Sequence, residues 1–372
     1  MRYGISGYGS LSAGEYSRRS NTRRSSWRTD ERTGLPVYPV TEIPAHEPIA
    51  RFVADRRPDR TTVLALHAAE RAVERAGWHG KDFTVLLGCS RGPTIAWEEA
   101  YDTFRGGGPL PVRTSPQTTL GSMAFAVADY FGVESPAAGL SVTCSSGLHA
   151  VQHGVALLVS GMAERVLVGG TEAPLTPFTL RQMDALRVYA TPTEGDLPPC
   201  RPFARPATGM AIGEGAAFLA LERINDNHRL ELLGIGAARE RARSATGITA
   251  TGEGLQASMR AALAAGGPAP DFVVAHAPGT ARGDAAEKNA LGEVFGDRMP
   301  TVTTAKWATG HTFGASGPLG LTAALEMIEA GTVALPPYES RGRDVAAPRR
   351  ALVNATGFGG NAVSVLLGRR TD

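Results

Sequence analysis

Three cysteines, eight histidines and three lysines are the scarce reactive side chains of this 372-residue chain, and four of them fall where chemistry could use them. Cys144 follows the apolar run Gly139-Leu140-Ser141-Val142-Thr143 and precedes an apolar helical stretch from Leu148 to Ser160. That setting predicts a strand, a tight turn over Cys144-Ser145-Ser146-Gly147, and a helix. At such an elbow the helix field and its free N–H groups favour a thiolate, so the Cys144 thiol is expected to acidify. Cys89 and Cys200 lack this setting and read as ordinary buried cysteines. His276 lies in VVAHAPGTARGDAAE and His311 in AKWATGHTFGASGPLG, each at a strand end before a glycine-rich loop. Lys306 stands five residues ahead of His311. Only Lys81, Lys288 and Lys306 are lysines among 38 basic residues, so surface charge here is written as arginine and Lys306 stands out. A thiol needs donors and a proton carrier to transfer an acyl group, and two imidazoles supply both. The same three residues could ligate zinc, but no carboxylate or second thiol lies close in sequence to complete the set.

The elements that must position these groups follow from periodicity. Residues 1–10 read as a strand, 61–76 as a helix stopped by Gly77, 83–88 as a buried strand, and 118–132 as an amphipathic helix. Residues 139–170 form a strand–turn–helix–strand unit, and 216–221 another strand. A polar break over 222–229 separates a second portion with the same rhythm: strand 230–238, helix 252–265, strand 271–276, helix 284–294. Strand 300–304, helix 316–330 and closing strands near 350–355 and 362–367 complete it. Residues 1–225 therefore form a half carrying the nucleophile, and 226–372 a half carrying both histidines. This is an α/β chain with an architectural duplication that no residue-level repeat marks.

Composition narrows the classes. Apolar residues are 42% and charged residues 20%, close to the globular average. A net charge of +2 argues against a nucleic-acid binder. No apolar run reaches the ~18 residues of a membrane span, and the N-terminus lacks a signal-peptide core, so the expected location is cytoplasmic. Arginines cluster at 18–32 and 341–350, where an acidic partner could dock.

The segments SVTCSSGLHAV, GGTEA, CRPFARPATGMAIGEGAAFLALE, AHAPGTARGDAAE, TTAKWATGHTFGASG and NATGFGGNAV resemble, in order, the motif series of β-ketoacyl synthases of the thiolase superfamily. The resemblance spans roughly residues 110 to 372. It implies a thiolase-like five-layered αβαβα fold of two pseudo-duplicated halves. It also implies a Cys–His–His site with Cys144 as nucleophile, His276 and His311 beside it, and Lys306 and Glu287 in a supporting network. By the same resemblance, the backbone N–H groups of Cys144 and Phe358 form an oxyanion hole, and the Phe358 side chain gates the pocket. Thr280 would bind a pantetheine arm, with Gly357 and Gly359 as substrate-binding positions. Phe178 and Met210 are the expected lining of the acyl channel. The implied reaction is decarboxylative Claisen condensation of an acyl-cysteine with a malonyl thioester. Enolate stabilisation in that reaction requires protons on the histidine Nε2 atoms.

No metal or resident cofactor is implied, because substrates ride on the phosphopantetheine of an acyl carrier protein. The expected assembly is a homodimer, with a heterodimer containing a second ketosynthase-like subunit as the alternative. The chain also departs from the pattern. Pro278 replaces a threonine of the family's His-Gly-Thr-Gly-Thr, Thr356 replaces a common phenylalanine, and Gly320 stands where some relatives place a glutamate. With GGTEAPLTPF it is similar to divergent synthases of specialised pathways, such as aryl polyene or flexirubin-type members. The closing loop Gly357–Asn361 lacks the second cysteine of a degradative thiolase, and His311 stands where a type III synthase has asparagine. Cys144 itself separates the chain from chain-length-factor subunits, which lack the nucleophile. A partner subunit with little activity of its own is the alternative function.

Overall fold

Apolar runs become the ten strands of one large sheet. The first five are β1 (Tyr3–Ser12), β2 (Thr84–Gly88), β3 (Ala137–Leu140), β4 (Arg165–Glu172) and β5 (Gly215–Arg223). The second five are β6 (Leu230–Arg239), β7 (Phe272–Val274), β8 (Thr301–Thr303), β9 (Arg350–Gly357) and β10 (Asn361–Arg369). The computed structural model describes residues 2–14, 16–17, 22–23, 26–195, 197–241, 247–266, 269–339 and 345–370. Arg18, Arg19, Arg24, Arg341 and Arg343 of the predicted basic clusters lie outside these residues.

Strand order exposes the duplication. The sheet runs β8-β7-β9-β10-β6-β1-β5-β4-β2-β3, so each half reads third, second, fourth, fifth, first from its outer edge. Pairing repeats as well. The second strand of each half is parallel to its two neighbours, while the fifth is antiparallel to both of its own. The halves meet at a short antiparallel seam, Tyr3 with Leu232 and Gly4 with Glu231.

Six helices occupy equivalent places in the two halves: α1 (Arg60–Ala76), α2 (Ser122–Phe131), α3 (Ser146–Ser160), α4 (Glu253–Gly266), α5 (Ala281–Phe295) and α6 (Ser316–Ala330). α3 and α6 lie between the half-sheets, joining Leu148, Val151, Leu321 and Leu325 to Val168 and Val353 in the central core. Outside one half-sheet, Leu64, Leu66 and Met123 pack on Val85 and Phe218. Outside the other, Leu255 and Met259 pack on Val273 and Leu366. This is the five-layered αβαβα arrangement. No helix among the described residues is long and apolar enough to cross a membrane.

Local chemistry sets the boundaries. Asp59 caps α1 by accepting from Thr61 N at 2.7 Å, and Gly77 ends the helix in a left-handed conformation. The helix expected over 118–132 starts only at Ser122, after a separate turn of helix at Thr114–Gln117. The strand expected over 139–143 stops at Leu140, because the elbow takes the next three residues. Helices Glu47–Arg56, Thr94–Arg105 and Pro177–Asp184 had no expectation. They are short and bury few residues.

Candidate active site

The elbow is laced by its own serines. Ser146 Oγ accepts from Val142 N at 2.8 Å and donates to the Thr143 carbonyl at 2.5 Å. Ser145 Oγ donates to the Val142 carbonyl at 2.9 Å. Thr143 sits at φ 51°, a strained setting for a β-branched residue. These bonds hold Cys144 at the mouth of α3, packed against Val37, Met210 and Phe313. The glycine-rich loop after β9 closes on the elbow, with Thr143 Oγ1 3.4 Å from the Phe358 carbonyl. Gly357 permits that approach: a Cβ there would overlap Thr143 Oγ1 and come within 3.1 Å of Cys144 N.

His276 follows β7. Glu287, on α5, accepts from His276 N at 2.9 Å and from Ala277 N at 2.6 Å, and Asn354 Nδ2 steadies the same carboxylate at 3.0 Å. Lys306 Nζ donates to the His276 carbonyl. His311 is tied to the other half of the chain, its N–H donating to the Ala211 carbonyl at 2.7 Å. The two imidazoles meet edge to face with centroids 5.4 Å apart, and the Phe313 ring lies 5.3 Å from His311.

A cavity of about 270 Å³ collects these groups. Cys144, His276, His311, Met210, Thr280, Gly357 and Phe358 all line it. Lys306 and Gly359 are not in the lining; Lys306 sits behind His276 and holds its main chain. Phe178 is a correction. It stands on the solvent face of helix Pro177–Asp184, 62% exposed and outside the cavity, while Met183 of the same helix points in. The thiol and imidazoles do not form a metal cluster: among the described residues the set whose ligand atoms gather within 4.8 Å is His46, Glu70 and Glu74.

Electrostatics correct a second expectation. Burial, followed by the charge of Glu172, pushes the Cys144 thiol up to about 12, against the acidification expected from the helix field alone. The resting Cys144 side chain is therefore a protonated thiol. Burial, then the charge of Lys306, drives both imidazoles well below their ordinary value, so they are neutral. Burial also lowers the Lys306 ammonium, partly offset by Glu287. Cys89 and Cys200 are pushed up by burial too, and neither lines the cavity. Iodoacetamide should thus modify Cys144 first, at a rate rising about tenfold per pH unit between pH 7 and 9. Equal labelling of all three cysteines, or a plateau below pH 8, would contradict this account of the thiol.

Sequence reasoning missed three cavity neighbours. Glu172 ends β4 fully buried, its Oε1 accepting from Arg91 N at 3.2 Å and Gly314 N at 3.3 Å, and so couples the loops on either side of the elbow. A carboxylate closing an otherwise apolar strand was its available signal. Glu240 lines the cavity and accepts from Thr249 N at 2.7 Å and Gly254 N at 2.8 Å, capping α4. Arg282 stands exposed at the cavity rim, one residue into α5. Nothing local in sequence marks these last two.

The description "Beta-ketoacyl synthase, N-terminal domain" matches residues 17–227, and "Beta-ketoacyl synthase, C-terminal domain" matches 230–337. The chain belongs to the β-ketoacyl synthase family. Among its relatives, Nodulation protein E of Rhizobium meliloti (strain 1021) is 31% identical over 294 residues, covering 74% of this chain and 71% of the relative. The 3-oxoacyl-[acyl-carrier-protein] synthase 2 of Staphylococcus aureus (strain N315) is 29% identical over 346 residues, 83% of this chain and 82% of that one. The solved ishigamide ketosynthase/chain length factor superposes with a TM-score of 0.85 at 24% identity, covering 100% of this chain and 99% of the other. Its agreement extends the family's fold to the whole described chain.

Proposed function

We propose that this β-ketoacyl synthase condenses an acyl group held on Cys144 with a malonyl thioester, both delivered on the phosphopantetheine of an acyl carrier protein. The observation that carries the reading is the opening of one thiol and two neutral imidazoles, contributed by opposite halves of the chain, onto a single cavity. On this reading residues 1–225 supply the nucleophile and 226–372 the imidazoles.

The chemistry runs in two stages. The Cys144 sulfur attacks the acyl thioester carbon; a new C–S bond forms, the pantetheine C–S bond breaks, and the thiol proton ends on the departing sulfur. The N–H groups of Cys144 and Phe358 receive the transient oxyanion. In the second stage malonyl thioester loses carbon dioxide, and the electron pair of the broken C–C bond becomes an enolate. Nε2–H donors of His276 and His311 stabilise that oxygen. The enolate carbon attacks the acyl carbon, the β-keto product leaves, and Cys144 regains a proton. Lys306 and Glu287 act by holding the His276 main chain from either side.

Carrier recognition uses the rim. Thr280 accepts from Gly283 N at 3.2 Å as the cap of α5, which leaves its hydroxyl hydrogen for the pantetheine arm. Pro278 offers no hydrogen there. Arg282 places positive charge at the entrance, and Arg28 and Arg32 are exposed as well. Dimerisation belongs to the same reading: β3 is an outermost strand of the sheet with its residues half-buried, and Trp97, Tyr101 and Phe104 are 56%, 54% and 63% exposed on one helix. A cytoplasmic location completes it.

Purified protein incubated with acyl- and malonyl-carrier protein tests the proposal by its β-ketoacyl product. Failure to condense alone, together with full activity of a Cys144→Ala chain in complex with a second ketosynthase-like subunit, would make this chain the non-catalytic partner.

A further inference from the structure

Two hydroxyls behind His311 decide which of its nitrogens carries the proton. His311 Nδ1 lies 3.1 Å from Ser316 Oγ. The same oxygen lies 3.1 Å from Thr312 N and 3.0 Å from Thr312 Oγ1. Ser316, His311 and Thr312 are all buried, so these bonds have no competing solvent. The Thr312 N–H can only donate, and each hydroxyl carries one hydrogen.

Two circuits satisfy that geometry. In the first, Thr312 Oγ1–H donates to Ser316 Oγ, and Ser316 Oγ–H donates to His311 Nδ1. Both hydroxyl hydrogens are used, and the imidazole proton sits on Nε2 of a ring that lines the cavity. In the second, His311 Nδ1–H donates to Ser316, and Ser316 donates to Thr312 Oγ1. The Thr312 hydroxyl hydrogen is then buried without an acceptor among the described residues. A buried donor left unmade disfavours that circuit by a factor on the order of 10 to 100.

We infer that Ser316, backed by Thr312, is a positioning residue that holds His311 as the Nε2–H tautomer. His276 has no such brace, since its Nδ1 is buried with no hydrogen-bond partner among the described residues. The two rings are therefore unequal: His311 is a preset donor, and His276 remains free to exchange its proton. The kinetic consequence rests on the condensing reading above, whereas the tautomer rests on hydrogen-bond geometry alone.

Long-range proton–nitrogen spectra of protein carrying 15N-histidine, with His311 assigned through His311→Ala, test it. Wild type should show His311 Nδ1 unprotonated at neutral pH, Ser316→Ala a mixture of tautomers, and Ser316→Thr the wild-type pattern. In parallel, Ser316→Ala should slow malonyl decarboxylation in proportion to the Nε2–H population it loses, about twofold for an even mixture, with Cys144 acylation unchanged, and Ser316→Thr should recover it. A wild-type His311 protonated on Nδ1, or a Ser316→Ala spectrum identical to wild type, would overturn the inference. The wild-type spectrum decides between the circuits even if the alanine variant does not fold. A wild type that leaves malonyl thioester intact would count against the condensing reading and leave the tautomer result standing.

Discussion

Cys144→Ala is expected to lower condensation by a factor on the order of 10⁴ or more, because no other group can carry the acyl chain between the two stages. Cys89 and Cys200 cannot substitute, since both are buried outside the cavity. The variant should remain folded. Cys144 contributes one sulfur to a cluster with Val37, Met210 and Phe313, and a methyl-sized vacancy there costs about 1 kcal/mol. The elbow itself is held by Ser145 and Ser146, which the substitution leaves in place. Product formation by the alanine variant within about tenfold of wild type would remove Cys144 from the chemistry. The measurement is steady-state product formation with carrier-bound substrates, paired with circular dichroism.

His311→Ala is the second large effect, and it should divide the reaction. Loss of one donor aimed at a developing oxyanion costs about 10² to 10³ in rate. The enolate forms only when malonyl thioester decarboxylates, so carbon dioxide release should fall by that factor. On the proposed mechanism acyl transfer to Cys144 draws on the backbone N–H groups of Cys144 and Phe358, so it should fall far less. The pH profile follows from the neutral imidazoles. Burial holds both well below their ordinary value, so decarboxylation by wild type should not decline through imidazole protonation as pH falls from 8 to 6. Equal losses of acylation and decarboxylation in His311→Ala would show that the ring serves some other step.

Much of this was legible in the sequence because it is written in local pattern. The run into Cys144, the small residues after it and the apolar helix behind it specify an elbow without reference to the rest of the chain. The alternation of strands and helices gave both halves in order, and strand order revealed a repeat that residue identity conceals. What failed depends on neighbours distant in sequence. Phe178 and Met183 are both apolar residues of one short helix, and only packing decides that Met183 faces the cavity. The Cys144 thiol was expected to acidify because the helix is visible in sequence, while burial and Glu172, twenty-eight residues on, are not. Glu240 reaches the cavity from just past the end of β6 and Arg282 from the first turn of α5, and chemistry placed by tertiary contact leaves no periodic trace.

Peptide-level mass spectrometry during turnover tests the account most directly. Acyl-carrier protein added alone should leave one acyl group on the peptide containing Cys144, and malonyl-carrier protein added next should discharge it as β-ketoacyl product with release of carbon dioxide. An acyl group found on Cys89, on Cys200 or on no cysteine, with product still forming, would contradict the convergence of one sulfur and two imidazoles on a shared thioester.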